Sequence, residues 1–129
     1  MIAYLDTSAA AKFVQIEPES AALSFWEEVT DVVLVSSDLL VTELGRLQTR
    51  HDLNPEGVAA VISGMHIVPV TRLDYHAAAQ LPGKTLRSLD ALHMRMAIST
   101  GAEVVVTYDN AMIEAARALG LRVIHPGKE

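Results

Sequence analysis

Met1-Ile2-Ala3-Tyr4-Leu5-Asp6-Thr7-Ser8 opens the chain with an uninterrupted apolar run that stops at an acid. A strand with no alternate polar positions has no face to give to water, the pattern of a strand inside a parallel sheet covered on both sides. Asp6 ends the run. Thr7 and Ser8 follow, and both hydroxyl residues suit the start of a helix. Strand, polar cluster and helix in succession is where open α/β sheets hold ligands, at the carboxyl ends of their strands.

The rest of the chain repeats that alternation. Apolar runs at 32–35, 67–70, 104–106 and 122–124 read as further strands. Pro69 inside one of them predicts an edge or end position, because proline cannot donate to the ladder. Between them lie helical stretches. Residues 8–14 form an alanine-rich first helix, and Glu17-Pro18-Glu19-Ser20 starts a second with Pro18 in its first turn. Leu39, Leu40, Leu44 and Leu47 make the stripe of a third helix that ends near His51. Asn54 and Pro55 start a fourth, which runs to Met65. Thr71 and Asp74 form a capping box with Asp in the glutamate position. Ser88 caps a helix running to Ser99 and stopped by Gly101, and a last helix ends before Gly120. In the 88–99 helix Leu89, Leu92, Met94, Met96, Ala97 and Ile98 surround the axis, so it is expected to be buried on more than one side. His125 to Glu129 form a polar tail. The expected fold is α/β: a three-layer α/β/α arrangement around a central, mostly parallel sheet, in one domain over residues 1–129.

Composition narrows the function. The chain has 129 residues, half of them hydrophobic, with a net charge of −6 and a mean hydropathy of +0.27. Such a chain buries a sizeable core and lacks broad electrostatic affinity for nucleic acid or anionic membrane, which leaves room for a local basic rim. There is no cysteine, which excludes disulfides and thiolate metal sites. No stretch approaches the roughly 18 apolar residues of a membrane span, and the first residues lack a signal peptide's basic start. A cytoplasmic protein is expected.

Four acids stand out. Asp6 and Asp109 each follow an apolar strand and precede a helix, and read singly each is an N-cap. In a parallel sheet the carboxyl ends share one edge, so the two can meet if their strands are neighbours. Asp90 lies in the first turn of the apolar helix, where the dipole favours it, yet its surroundings are apolar. Glu43 falls on or beside the stripe of Leu39, Leu40 and Leu47, whereas a solvated glutamate would face away. Two carboxylates ~4 Å apart repel by roughly 4 kcal/mol at an effective dielectric near 20. Convergence of the four would therefore call for a cation. Carboxylates without cysteine or paired histidine favour a hard ion, Mg²⁺ or Mn²⁺.

None of the five histidines, His51, His66, His76, His93 and His125, has zinc-like spacing. His93 lies one turn after Asp90, close enough to bond near it; core packing is the simpler assignment. Met94 and Met96 read as core filler. Arg46 and Arg50 follow Glu43 on nearly one helix face, and Lys84 and Arg87 precede Asp90. They form a candidate rim for phosphates, with salt bridging as the simpler reading of any one.

Leu5-Asp6-Thr7-Ser8-Ala9, Thr42-Glu43-Leu44, Leu86-Arg87-Ser88-Leu89-Asp90-Ala91-Leu92-His93 and Val106-Thr107-Tyr108-Asp109 resemble, in order and spacing, the motifs of PIN-domain nucleases, and most closely the VapC-type toxins of bacterial toxin–antitoxin pairs. The resemblance covers essentially the whole chain. It implies a Mg²⁺-dependent (or Mn²⁺-dependent) endoribonuclease that cuts structured RNA such as tRNA or rRNA. It further implies a metal site of Asp6, Glu43, Asp90 and Asp109, with Thr7, Ser8 and Thr107 in support and Arg46, Lys84 and Arg87 toward the substrate. A cognate antitoxin and a homodimer are the implied protein partners. Asp109 is the least uniform of these positions in such families.

Two other functions compete. A phosphohydrolase or phosphotransferase could use Asp6 as nucleophile, but such enzymes carry Asp-x-Asp after the first strand and here Ser8 takes the third place. A catalytically inactive PIN-like binding module would retain the fold without the chemistry, whereas all four acids are present. A dinucleotide-binding role lacks its G-x-G-x-x-G turn.

Overall fold

A computed structural model describes residues 1–128, so Glu129 of the polar tail lies outside the described residues. Among the described residues five strands form one sheet in the order β3-β2-β1-β4-β5. They are β1 (Ile2–Leu5), β2 (Val33–Ser37), β3 (His66–Val68), β4 (Val104–Val106) and β5 (Val123–Ile124), and every pairing is parallel. The helices are α1 (Thr7–Ala11), α2 (Ser20–Val29), α3 (Asp38–His51), α4 (Pro55–Ser63), α5 (Arg72–Ala79), α6 (Ser88–Ser99) and α7 (Asn110–Ala118).

The all-apolar strands are explained by the layering. Ala3, Leu5, Val104 and Val106 point to one face and pack with Ala9, Ala10, Leu23, Leu40, Leu44 and Val58 of α1–α4. Tyr4, Val35 and Val105 point to the other, against Met94, Met96 and Ala97 of α6 and Met112 and Ala116 of α7. Period-two alternation thus feeds two cores, and β1 has no wet side. From β1 the chain winds outward through β2 to β3, then returns to the other flank of β1 as β4. The order therefore reverses between β1 and β4, the switch point at which an α/β sheet opens a crevice at its carboxyl edge.

Several local expectations change. The cap of α1 is Asp6, as one reading of it predicted, and Thr7 and Ser8, which also suited a helix start, lie inside the helix. That helix ends at Ala11 instead of Val14, where Lys12 is drawn down onto Glu19 (2.9 Å) and Glu17 (3.3 Å). Residues 12–19 run as turns and irregular backbone, and Pro18 precedes α2 and does not sit in its first turn. The N-cap of α6 is Arg87, without a side-chain cap bond, and Ser88 is the first helical residue. β3 stops before Pro69 and is an edge strand, as that proline requires. The Thr71–Asp74 capping box forms as expected. In α6, Leu92, Met94, Met96 and Ala97 are buried, whereas Leu89 and Ile98 are exposed, because α6 lies between the sheet and α5 with one flank left to solvent.

Candidate active site

Asp6 sits at the end of the central strand and is 4% exposed. Its Oδ1 accepts from the Ser8 hydroxyl (2.7 Å) and the Ala9 N–H (3.1 Å), and its Oδ2 accepts from the Thr107 hydroxyl (2.6 Å). A carboxylate has about four acceptor positions, so one remains, on Oδ2. Burial raises the pKa of Asp6, and the Thr107, Ser8 and Ala9 hydrogen bonds only partly oppose it. The charged form is therefore costly in the absence of a cation.

β1 and β4 are neighbours, with Leu5 opposite Val106, and their ends are stitched together by hydroxyls. Thr107 Oγ1 donates to Asp6 and accepts the Asp109 N–H (3.2 Å), while Ser8 Oγ accepts the Tyr108 N–H (2.9 Å). Asp109 is exposed and its Oδ1 accepts the Met112 N–H (3.0 Å), capping α7. The capping readings of Asp6 and Asp109 and their convergence on one edge thus hold together.

Asp90 is half-buried on the first turn of α6. Burial raises its pKa first, the negative charges of Asp109 and Glu43 raise it further, and His93 and Arg87 pull the other way. These couplings place Asp90 within electrostatic reach of both other acids. Glu43, half-buried on α3, accepts at Oε1 from Thr7 Oγ1 (2.9 Å) and His93 Nε2 (2.6 Å). Burial would raise its pKa, but the His93 bond and charge, with Thr7, outweigh it and hold Glu43 low.

All four acids therefore lie on the carboxyl edge around the switch point. Among the described residues, no three acids or histidines are close enough to grip an ion by direct ligation alone. Arg46 lines a hollow of about 470 Å³ with Thr7, Thr42, Glu43, Arg50 and Leu89. Asp90 lines a second of about 460 Å³ with Gly83, Thr85 and Glu114. Arg87 acts on Asp90 through its charge. Lys84 is exposed in the preceding turn, and neither hollow includes it among its lining residues.

Sequence reasoning missed Tyr4 and Ser37 as contributors and assigned His93 to core packing. His93 is 2% exposed and joins Tyr4 Oη (Nδ1, 2.8 Å) to Glu43 (Nε2, 2.6 Å). Tyr4 in turn meets Ser37 Oγ at 3.0 Å. The available signals were a lone phenol in an otherwise aliphatic strand and a histidine one turn beyond Asp90.

A pH dependence of stability follows. An unfolded aspartate titrates near 3.8 and the native Asp6 and Asp90 titrate higher. Across that window the folded chain holds protons that the unfolded chain has lost, so stability falls as pH rises and then levels off. Glu43 runs oppositely: its contribution is complete above 4.5 and is lost as pH falls through its lowered native value. In chelator, the melting temperature is expected to decline from about pH 4 upward, and Asp6→Asn to flatten part of that decline. An identical slope in the variant would count against burial of a charged Asp6.

The fold and this acidic edge define a class: the chain belongs to the PIN domain family, matching it over residues 3–118. It is 39% identical to the Ribonuclease VapC35 of Mycobacterium tuberculosis, an alignment covering 97% of each chain. Among solved structures it resembles M. tuberculosis VapC20, described as a sarcin-ricin loop cleaving toxin. That match has a TM-score of 0.74 and 16% identity, and covers 96% of this chain and 99% of that one. It also resembles VapBC2 of Rickettsia felis, solved on a DNA fragment from its promoter, with a TM-score of 0.73 and 16% identity over 98% of this chain and 99% of that one. At such identities the two structures speak to the fold alone. Among the described residues no helix is long and apolar enough to cross a membrane.

Proposed function

We propose that the chain is a Mg²⁺-dependent (or Mn²⁺-dependent) endoribonuclease, the toxin of a toxin–antitoxin pair, working on cytoplasmic RNA. The observation that carries this reading is Asp6, a buried carboxylate at the switch point with one acceptor position left, with Asp109 following the neighbouring strand β4 and Asp90 feeling the charges of Asp109 and Glu43. The ribonuclease name of a relative aligned along nearly the whole chain supports it. A tRNA or rRNA loop is the proposed substrate, a cognate antitoxin the proposed inhibitor, and a homodimer the proposed assembly.

The residues fit the ion. Mg²⁺ keeps several waters and takes one or two carboxylates in place of a full protein cage. Asp6 offers it an open acceptor position on Oδ2, and Oε2 of Glu43 accepts no hydrogen bond from the described residues. Asp6 and Asp90 would hold it, with Glu43 and Asp109 reaching it through water or completing a second position. Bound there, the ion supplies Lewis-acid polarisation of the phosphoryl oxygens and acidifies a water. The chain does the rest. Thr107, Ser8 and the Ala9 N–H fix the plane of the Asp6 carboxylate, and Thr7 holds Glu43. Arg46 and Arg87, with Lys84 on the adjoining turn, neutralise substrate phosphates. Water attacks phosphorus in line as the P–O3′ bond breaks, leaving a 5′-phosphate and a 3′-hydroxyl. Asp6 is a poor nucleophile of its own, being 4% exposed with three hydrogen bonds to its oxygens.

Incubation with total RNA tests the reading. Cleavage is expected with Mg²⁺ or Mn²⁺, to cease in chelator, and to leave ends that ligate directly as 5′-phosphates; cleavage undiminished in chelator would overturn it. Mg²⁺ at about 100 times its dissociation constant is also expected to stabilise the fold by about 2.7 kcal/mol, read as a rise in melting temperature that Asp6→Asn abolishes.

A further inference from the structure

We propose that His93 and Tyr4 are positioning residues for the acidic centre: with Ser37 they lock the Glu43 carboxylate so that Oε1 is committed to the protein and Oε2 alone is offered to an ion. This inference rests on the metal-dependent ribonuclease reading above.

The donor directions in the network follow from the protonation of His93. The Glu43 carboxylate can only accept. His93 Nε2 must therefore donate to Oε1 at 2.6 Å. In a neutral imidazole the other nitrogen then accepts, so Tyr4 donates to Nδ1 at 2.8 Å. The Tyr4 phenol keeps its proton, since burial pushes its pKa well above the ordinary value. Ser37 completes the chain by donating to Tyr4 Oη at 3.0 Å. Protonating the imidazole reverses the two outer bonds and leaves Nε2–H on Glu43.

Tyr4 and Ser37 are fully buried and His93 nearly so, which leaves no water to substitute for the links among these three. The Tyr4 and His93 rings meet edge to face, 5.8 Å between centroids at 68°, fixing the imidazole's tilt as well as its hydrogen bonds. The chain is anchored in β2 and β1, crosses α6 and ends on α3. The network ends at a half-exposed glutamate whose second oxygen accepts no hydrogen bond from the described residues. Thr7 donates to the same Oε1 at 2.9 Å, so two donors from two elements select one oxygen. Partners that orient a ligand in this way typically change metal affinity by about 10–100-fold when removed.

The test measures Mn²⁺ affinity of the metal-stripped protein by electron paramagnetic resonance, with near-UV circular dichroism to report folding. His93→Ala is expected to bind Mn²⁺ about 10–100-fold more weakly. Tyr4→Phe, which keeps the ring and removes only the hydroxyl, is expected to weaken it in the same direction. His93→Gln, whose amide N–H can reach Glu43, is expected to recover most of the affinity. Leu23→Ala, a core truncation on α2 remote from the site, lowers the melting temperature and leaves Mn²⁺ affinity at the wild-type value. Wild-type affinity in both His93→Ala and Tyr4→Phe would reduce the chain to a packing feature and overturn the proposal. If His93→Ala does not fold, Tyr4→Phe decides. Failure of the wild-type protein to bind Mn²⁺, or binding indifferent to Asp6→Asn, would remove the metal reading itself and this inference with it.

Discussion

Asp6→Asn is expected to lower Mg²⁺-dependent RNA cleavage by about 10³-fold, because stabilising the charge on a phosphoryl group is worth several kcal/mol and about 4 kcal/mol corresponds to that factor. The same change is expected to raise the melting temperature of the metal-free protein. Asparagine matches aspartate in shape, so Oδ1 keeps the Ser8 and Ala9 bonds while the amide takes the place of Oδ2. The Thr107 hydroxyl, which now donates to Oδ2, rotates to accept from it. What disappears is a buried negative charge whose ionisation burial opposes. Activity and stability thus move in opposite directions, which a general loss of structure cannot produce. Cleavage at the wild-type rate in Asp6→Asn, after controls for contaminating nuclease, would end the metal-centre reading.

Thr107→Val should be the second largest effect, a fall in cleavage of about 10–100-fold with a stability loss of about 1–3 kcal/mol. The residue is fully buried and valine fills the same volume. The change removes the 2.6 Å donor to Asp6 and the acceptor of the Asp109 N–H at once. Asp6 then has one fewer bond opposing the effect of burial, so its pKa rises further and its carboxylate is less well oriented. Thr107→Ser, which retains the hydroxyl, is expected to restore most of the activity. Kinetics and chemical denaturation on the two variants check this. Equal loss in valine and serine would locate the effect in the methyl group's packing and not in the hydrogen bonds.

How much of this was legible in the sequence differs by residue. The strand endings at Asp6 and Asp109 were plain, because a switch from apolar run to acid is written within a few consecutive positions. Glu43 was legible from its place beside a helical stripe. The extent of α1 was not: residues 12–19 leave the helix in turns tied by the Lys12–Glu17 and Lys12–Glu19 pairs and by the Ser20 hydroxyl on the Lys12 carbonyl, and helix propensity is too weak a guide to fix such an end. His93 looked like core because a histidine amid Leu92, Met94 and Met96 carries no periodic sign of what its two nitrogens meet. Its partners Tyr4 and Glu43 lie 89 and 50 residues away in the chain.

By itself the sequence determined the class of fold, the alternation of strand and helix, and the edge of the sheet at which the acids fall. These follow from local periodicity, since hydrophobic spacing reports which face of each element is buried. Only the tertiary structure decided that β1 lies between β2 and β4. That adjacency brings Thr107 onto Asp6 across 101 residues and sets Tyr4, Ser37 and His93 in one line behind Glu43. Hydrogen bonds over such separations depend on which strands are neighbours and on which face each side chain takes. Neither is encoded in the spacing of any one segment.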